Sequence, residues 1–311
     1  MKVPYAVQYS EFGPPSVLRL VEVDPAVPGP GQVVFEARAI GVNPAEVKRR
    51  AGKRWRSPPD FPVRPGADAA GVVTAVGDDV AEFSPGDEVI GRNLTAAYAE
   101  QVLASPANLL RKPASVSFEE STLLGVPAGT AYQILMSTGV GPADTVLIHG
   151  AAGGVGQCAV QFARHLGATV IGTASPDRHE WLRQLGAIPV AYGDGLADRV
   201  RAAAPGGVTM AFDTAGTDEA LQVSLDLVAN YERIVTVGAV DSAKAWGVKS
   251  FSKLTPEQTQ LRRAAALLAL ELHEEGSFLF EVGRRYPLRE AAEAHRYSET
   301  RHVVGKIVLH P

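Results

Sequence analysis

Thr145-Val-Leu-Ile-His-Gly-Ala-Ala-Gly-Gly-Val-Gly156 is the stretch on which the fold reading turns. Val146, Leu147 and Ile148 form a short apolar run of the kind a strand buried on both faces requires. A glycine-rich turn follows at once, and Val155–Leu166 then carries a helical pattern. Strand, glycine turn and helix in that order give the dinucleotide-binding fingerprint its physical meaning. Ala151 takes the first glycine position, Gly153 the second and Gly156 the third. Gly153 lets the backbone approach a pyrophosphate, which then rests on the positive end of a helix that starts near Gly154 and Val155. Gly156 lets that helix pack close to its strand. The competing reading, a glycine turn with no ligand, is weakened by what lies on either side.

Outward from the loop, strand-like and helix-like runs alternate. Ala168–Gly172, Arg178–Leu185, Ile188–Tyr192, Gly195–Ala203, Val208–Asp213, Thr217–Val228 and Arg233–Val237 follow in turn. This spacing predicts a doubly wound parallel sheet with helices on both faces, hence an α/β fold. A long amphipathic stretch, Pro256–Glu275, leads to a last strand-like run, Val303–Leu309. The first third reads differently. Gln32–Ile40 and Gly71–Val76 are strand-like, and Pro25, Pro28, Pro30, Pro58, Pro59, Pro62 and Pro65 leave no room there for long helices. A chain of 311 residues with two such textures is expected to form two domains.

Composition removes several classes of function. The 34 acids outnumber the 30 Lys and Arg, and the only basic cluster is Lys48, Arg49, Arg50, Lys53, Arg54 and Arg56, so a nucleic-acid partner is not expected. No apolar run reaches the length of a membrane span and no signal pattern opens the chain, which reads as cytoplasmic with no membrane partner. The single cysteine, Cys158, excludes an intrachain disulfide and any multi-cysteine metal site.

The choice of nucleotide rests on the end of the second strand. An NAD site usually carries an acid about 20 residues past the loop, on the ribose hydroxyl. Thr173, Ala174 and Ser175 stand there instead, and Arg178 supplies a cation suited to a 2′-phosphate. The expected cofactor is NADPH; Asp177 as a ribose ligand is the alternative.

Four segments bear on the family. They are Gly41-Val-Asn-Pro-Ala-Glu-Val-Lys-Arg-Arg-Ala-Gly52, Pro65-Gly-Ala-Asp-Ala-Ala-Gly-Val-Val-Thr-Ala-Val-Gly77 with Phe83-Ser-Pro-Gly-Asp-Glu-Val89, the 151–156 loop, and Tyr286–Tyr297 with Gly305-Lys-Ile-Val-Leu309. With these the chain resembles the zinc-independent quinone oxidoreductase branch of the medium-chain dehydrogenase/reductase superfamily over nearly its whole length. The resemblance implies a GroES-like catalytic domain, residues 1–118 and 260–311, around a Rossmann domain, residues 119–259. In zinc-dependent relatives a cysteine stands at Asn43 and a histidine at Ala67, so no metal is expected. His149 reads as a core histidine and Cys158 as a small buried hydrophobe.

The resemblance also assigns site residues. Asn43 matches a cleft asparagine, with an Asn-Pro turn as the plainer reading. Thr130 matches a threonine on the nicotinamide side, with a hydroxyl bonded back to its own helix as the plainer one. Ala151, Gly153, Gly154, Val155 and Gly156 form the loop. Ser175, Arg178, Tyr192 and Arg301 fall where relatives line the 2′-phosphate. Asp213, Gly216, Gly238 and Ala239 end the fourth and fifth strands, and Lys306 is a weaker cofactor candidate on the terminal strand. Lys48 replaces a tyrosine common in relatives; it is either a donor to the substrate or a solvated member of the basic cluster. The segment Val240–Leu254, which borders the dimer edge in relatives, is short.

The expected activity is hydride transfer from NADPH to a small quinone, enone or enal, without metal, in a homodimer. Charge developing on the acceptor's oxygen has to meet donors placed for it, with Asn43 and Lys48 as candidates. An enoyl-thioester reductase and a nucleotide-binding sensor without turnover are the alternatives.

Overall fold

The computed structural model describes residues 3–53, 57, 59–250 and 255–311. Arg54 and Arg56 of the basic cluster and residues 251–254 of the short segment lie outside the described residues. The chain divides into two compact units, Met1–Val126 with Phe280–Pro311, and Pro127–Leu279.

The first unit opens with an antiparallel pair, β1 (Tyr5–Gln8) and β2 (Arg19–Glu22). The long β3 (Val33–Val42) and the seven-residue helix α1 (Pro44–Arg50) follow. After them come β4 (Asp68–Val76), β5 (Glu88–Gly91), β6 (Gln101–Ala104), β7 (Leu109–Arg111) and the short α2 (Phe118–Ser121).

The second unit takes in all but the first residue of α3 (Val126–Ser137). It then alternates β8 (Thr145–His149), α4 (Gly154–His165), β9 (Thr169–Ala174), α5 (His179–Gln184), β10 (Ile188–Ala191) and α6 (Leu196–Ala203). β11 (Met210–Asp213), α7 (Asp218–Leu227), β12 (Ile234–Thr236), α8 (Ala243–Trp246) and the long α9 (Pro256–Glu274) complete it. Its five strands lie in the order β10-β9-β8-β11-β12, each parallel to its neighbours. The order reverses at β8, and ligands of doubly wound sheets bind outside the strand ends at that switch point. The glycine loop leaves β8 there. Beneath it, Leu147, Ile171, Ala211 and Ile234 from four adjacent strands share one buried core.

The chain returns to the first unit through β13 (Val282–Pro287), α10 (Ala291–Glu299) and β14 (Lys306–His310). β3 pairs along one edge with β4; its other edge is shared by β6 at the start and β14 at the end. Val33, Phe35, Ile40, Val73, Val89 and Leu309 form the core of this mostly antiparallel sheet.

The predicted strands and helices of the second unit match these elements to within about two residues at their ends, the usual uncertainty of such boundaries. The expected domain limits do not coincide with the units. Residues 119–126 belong to the first unit, and 260–279, with most of α9, to the second. The physical reason is packing. Gln161 of α4 bonds Leu279 in both directions, at 2.9 and 2.6 Å, and Phe278 lies against Phe162 at 4.9 Å between ring centroids. Among the described residues no helix is long and apolar enough to cross a membrane.

Candidate functional site

The glycine loop is shaped by close contacts rather than by flexibility. Gly150 adopts the left-handed conformation, φ 70°, that turns the chain out of β8. A Cβ on Gly156 would stand 2.2 Å from the Gly150 carbonyl oxygen, so only glycine lets α4 start this close to its strand. Gly153, the N-cap of α4, supplies no side-chain cap, which leaves the helix's first N–H groups facing outward for an anion. Ala151 is buried, donates its N–H to the Thr173 carbonyl at 3.0 Å, and sits where Gly172 makes room for its methyl. The tight turn therefore belongs to Gly150, one residue before the motif as counted from sequence. This cradle fits a dinucleotide pyrophosphate.

On one side of the loop, the parallel register sets Ala191 of β10 beside Ala174 of β9, so Tyr192 and Ser175 leave the sheet at the same level. Tyr192 is 48% exposed, and Arg178 is half-buried in the turn that opens α5. A hydrogen bond from Ser175 holds the exposed Asp177 carboxylate below its usual range. On the other side, Gly238 and Ala239 follow β12, and Asp213 ends β11 with Thr236 as its register neighbour.

A second polar centre lies wholly inside the first unit. Asn43, Glu46, Asp68 and Lys306 are all buried, from α1 and its N-cap, β4 and β14. Glu46 reaches back to the Asn43 N–H at 2.6 Å, the returning half of a capping box. The Asn43 amide donates to Glu46 Oε1 at 3.1 Å and Asp68 Oδ2 at 2.9 Å. Its Oδ1 accepts from Lys306 Nζ at 2.6 Å, and the same ammonium lies 3.2 Å from Asp68 Oδ2. Asp68 thus pairs with the Lys306 ammonium, and Glu46 lies buried close enough to feel both charges. Burial, then the Asp68 charge, push Glu46 up to about 7 against the pull of Lys306 and Asn43. Below the network, the Tyr98 hydroxyl lies 3.1 Å from His295 Nε2, and burial with the Arg50 charge lowers His295 to about 3.

This network bears on two expectations. An amide has two N–H donors, and Asn43 gives both to carboxylates, so it offers none to a substrate oxygen. Lys306 is buried, and two of its three N–H donors go to Asn43 and Asp68. Glu46 and Asp68 were not singled out from sequence. The available signal was an acid or lysine in otherwise apolar strand ends, Gly66-Ala-Asp-Ala-Ala-Gly71 and Gly305-Lys-Ile-Val-Leu309.

The remaining candidates are spread over both units. Lys48 is half-buried in the last turn of α1, and Arg301 is an exposed residue at φ 59° in the first unit. Thr130 is buried in α3; no bond from its hydroxyl to the preceding turn occurs among the described residues, unlike Thr138, which bonds Ile134 at 2.8 Å. His149 is a core residue lowered to about 4 by burial, with Nδ1 3.4 Å from Thr173 Oγ1. Cys158 is buried. Among the described residues no three His, Cys, Asp or Glu side chains are grouped to hold a metal ion.

A doubly wound sheet with a glycine cradle at its switch point, joined in one chain to a β-rich unit, is the architecture of a two-domain dinucleotide-binding protein. Residues 29–138 match the family described as "Alcohol dehydrogenase GroES-like domain", and residues 154–271 the one described as "Zinc-binding dehydrogenase". The human quinone oxidoreductase is 34% identical, over 94% of this chain and 93% of its own. The crystal structure of the Pseudomonas syringae quinone oxidoreductase has a TM-score of 0.86 at 32% identity, covering 99% of this chain and all of the other. The Escherichia coli quinone oxidoreductase, solved in complex with NADPH, has a TM-score of 0.84 at 27% identity with the same coverage. The chain belongs to the quinone oxidoreductase branch of the medium-chain dehydrogenase/reductase superfamily.

Proposed function

We propose that this chain is a cytoplasmic NADPH-dependent reductase that delivers hydride, without a metal, to a quinone or to the polarised C=C of an enone or enal. The observation that carries the reading is the cradle at Gly150–Gly156, flanked by Arg178 and by no acid at 173–175. NADPH supplies the hydride when bound. The protein's own part is to bind and to place charge. The N-terminus of α4 meets the pyrophosphate, and Ser175, Arg178 and Tyr192 meet the 2′-phosphate. Lys48 is the donor proposed for the acceptor's oxygen as it gains charge, and Thr130 belongs to the nicotinamide side. Asn43 holds the start of α1, and so the helix that carries Lys48, against β4 and β14. Asn43 and Ala67 at the positions of lost metal ligands support a metal-free reaction. A homodimer is part of this proposal; Lys249 already occupies part of the outer edge of β12, bonding the backbone of Ile234 and Thr236 at 2.9 Å each.

The test is NADPH consumption against a panel of quinones, enals and enoyl thioesters, run on the wild type and on Lys48→Met. Turnover of quinones or enals is expected, and loss of a charge-stabilising donor costs about 2.7–4 kcal/mol, so kcat of the variant should fall by roughly two to three decades. A risen KM at constant kcat would make Lys48 a binding residue for an anionic tail. Flat traces with every acceptor beside tight NADPH binding would favour the sensor instead.

A further inference from the structure

Asp213 closes β11 completely buried, and so does its register neighbour Thr236 at the end of β12. The Asp213 carboxylate accepts three hydrogen bonds. Oδ1 takes the N–H groups of Ala215 at 2.9 Å and Gly216 at 2.8 Å, and Oδ2 takes the Thr236 hydroxyl at 2.5 Å. Thr236 Oγ1 in turn accepts the Ala239 N–H at 2.9 Å. The Asp213 carbonyl receives Val237 at 2.9 Å and Gly238 at 3.4 Å, and the Thr214 N–H goes to the His149 carbonyl at 3.1 Å. All six backbone N–H groups of 214–216 and 237–239 are therefore turned inward.

The two loops are also in contact. A Cβ on Gly216 would stand 2.5 Å from the Gly238 carbonyl carbon, and one on Gly238 would stand 2.3 Å from the Gly216 nitrogen. The Thr214 hydroxyl bonds the His149 carbonyl at 2.6 Å and lies under Gly150, where a Cβ would meet it at 2.7 Å. One carboxylate and two hydroxyls, those of Thr236 and Thr214, thus lock the loops after β11 and β12 to each other and to the glycine loop.

A dinucleotide at this switch point lies across the sheet. With the adenosine end over β9 and β10, the nicotinamide end falls over β11 and β12. We propose that Asp213, acting through Thr236, is a positioning residue for the nicotinamide. Both side chains are out of reach of any ligand arriving from solvent. They act by consuming three of the loops' donors, those of Ala215, Gly216 and Ala239, so that the ligand meets backbone carbonyls, which suit the NH₂ group of a carboxamide. The inference rests on the NADPH reading above.

The test compares two probes by titration calorimetry: NADPH, and 2′-phosphoadenosine diphosphoribose, the same nucleotide without its nicotinamide. A loop donor left without its acceptor is free to turn outward, so Asp213→Asn and the milder Thr236→Val should each weaken NADPH by roughly tenfold or more. The nicotinamide-free probe should stay within about twofold on both variants, and Thr236→Ser, which keeps the hydroxyl, should bind NADPH as the wild type does. Equal losses for both probes would make the pair a general support of the fold and overturn the assignment. Variants that bind both probes like the wild type would overturn it too. A wild type that binds neither probe would instead remove the nucleotide reading on which the assignment rests.

Discussion

Where β9 ends, Thr173, Ala174 and Ser175 occupy the place of a ribose-binding acid, and the Arg178 side chain follows in the next turn. A charge-assisted hydrogen bond contributes on the order of 1.5–3 kcal/mol, so Arg178→Ala should weaken NADPH binding by roughly ten- to a hundredfold. NADH binding should hardly change. Direct titration of both nucleotides checks this, and equal losses would make Arg178 structural. At this scale the glycine motif was legible from sequence because strand, turn and helix are contiguous in the chain. Gly150 was missed because the motif is counted from Ala151, although φ 70° at Gly150 makes the turn. The fate of Asn43 was not legible: Asp68 and Lys306 reach it from β4 and β14, 25 and 263 residues away.

Helix α1 shows what such a convergence does to an element. Glu46 caps the helix from inside, beside Asp68, and titrates near 7 rather than at its ordinary 4.5. An acid whose folded pKa is raised contributes stability that is fully present below its unfolded pKa and is lost as pH rises through the folded one. For Glu46 that window runs from about 4.5 to about 7. His149 and His295 act the other way; lowered from 6.5 to about 4 and about 3, they contribute above 6.5 and lose it as pH falls. A difference between variants isolates Glu46. Glu46→Gln, the neutral analogue, should gain thermal stability relative to the wild type between pH 5 and 8, by on the order of one to a few kcal/mol per shifted proton. Melting curves across that range check it; a stability difference independent of pH would mean that Glu46 carries no shifted proton. Element positions themselves were readable, since apolar runs of strand length alternate with helical ones. The partner of α9 was not. Its buried Ala265, Ala266, Ala269 and Leu272 tell only that one face is covered, and the second unit covers it.

For the whole molecule, the sequence alternation predicted the doubly wound sheet, and the strand order β10-β9-β8-β11-β12 puts the cradle at its switch point. The unit boundaries fell 8 and 20 residues further along than expected, at 126/127 and 279/280 against 118/119 and 259/260, because packing and not texture sets them. The β-rich unit holds Asn43, Lys48 and Lys306; the doubly wound unit holds the loop, Arg178 and Asp213. The central claim is that such a chain transfers hydride from NADPH with no metal. The most direct measurement uses protein dialysed against chelator, shown free of zinc by elemental analysis, and NADPH carrying deuterium at the transferring position of the nicotinamide. Mass analysis of a reduced enone then reads the outcome. The account predicts undiminished turnover and a product that carries one deuterium at carbon. Turnover that returns only with added zinc, or a product without the label, would contradict it.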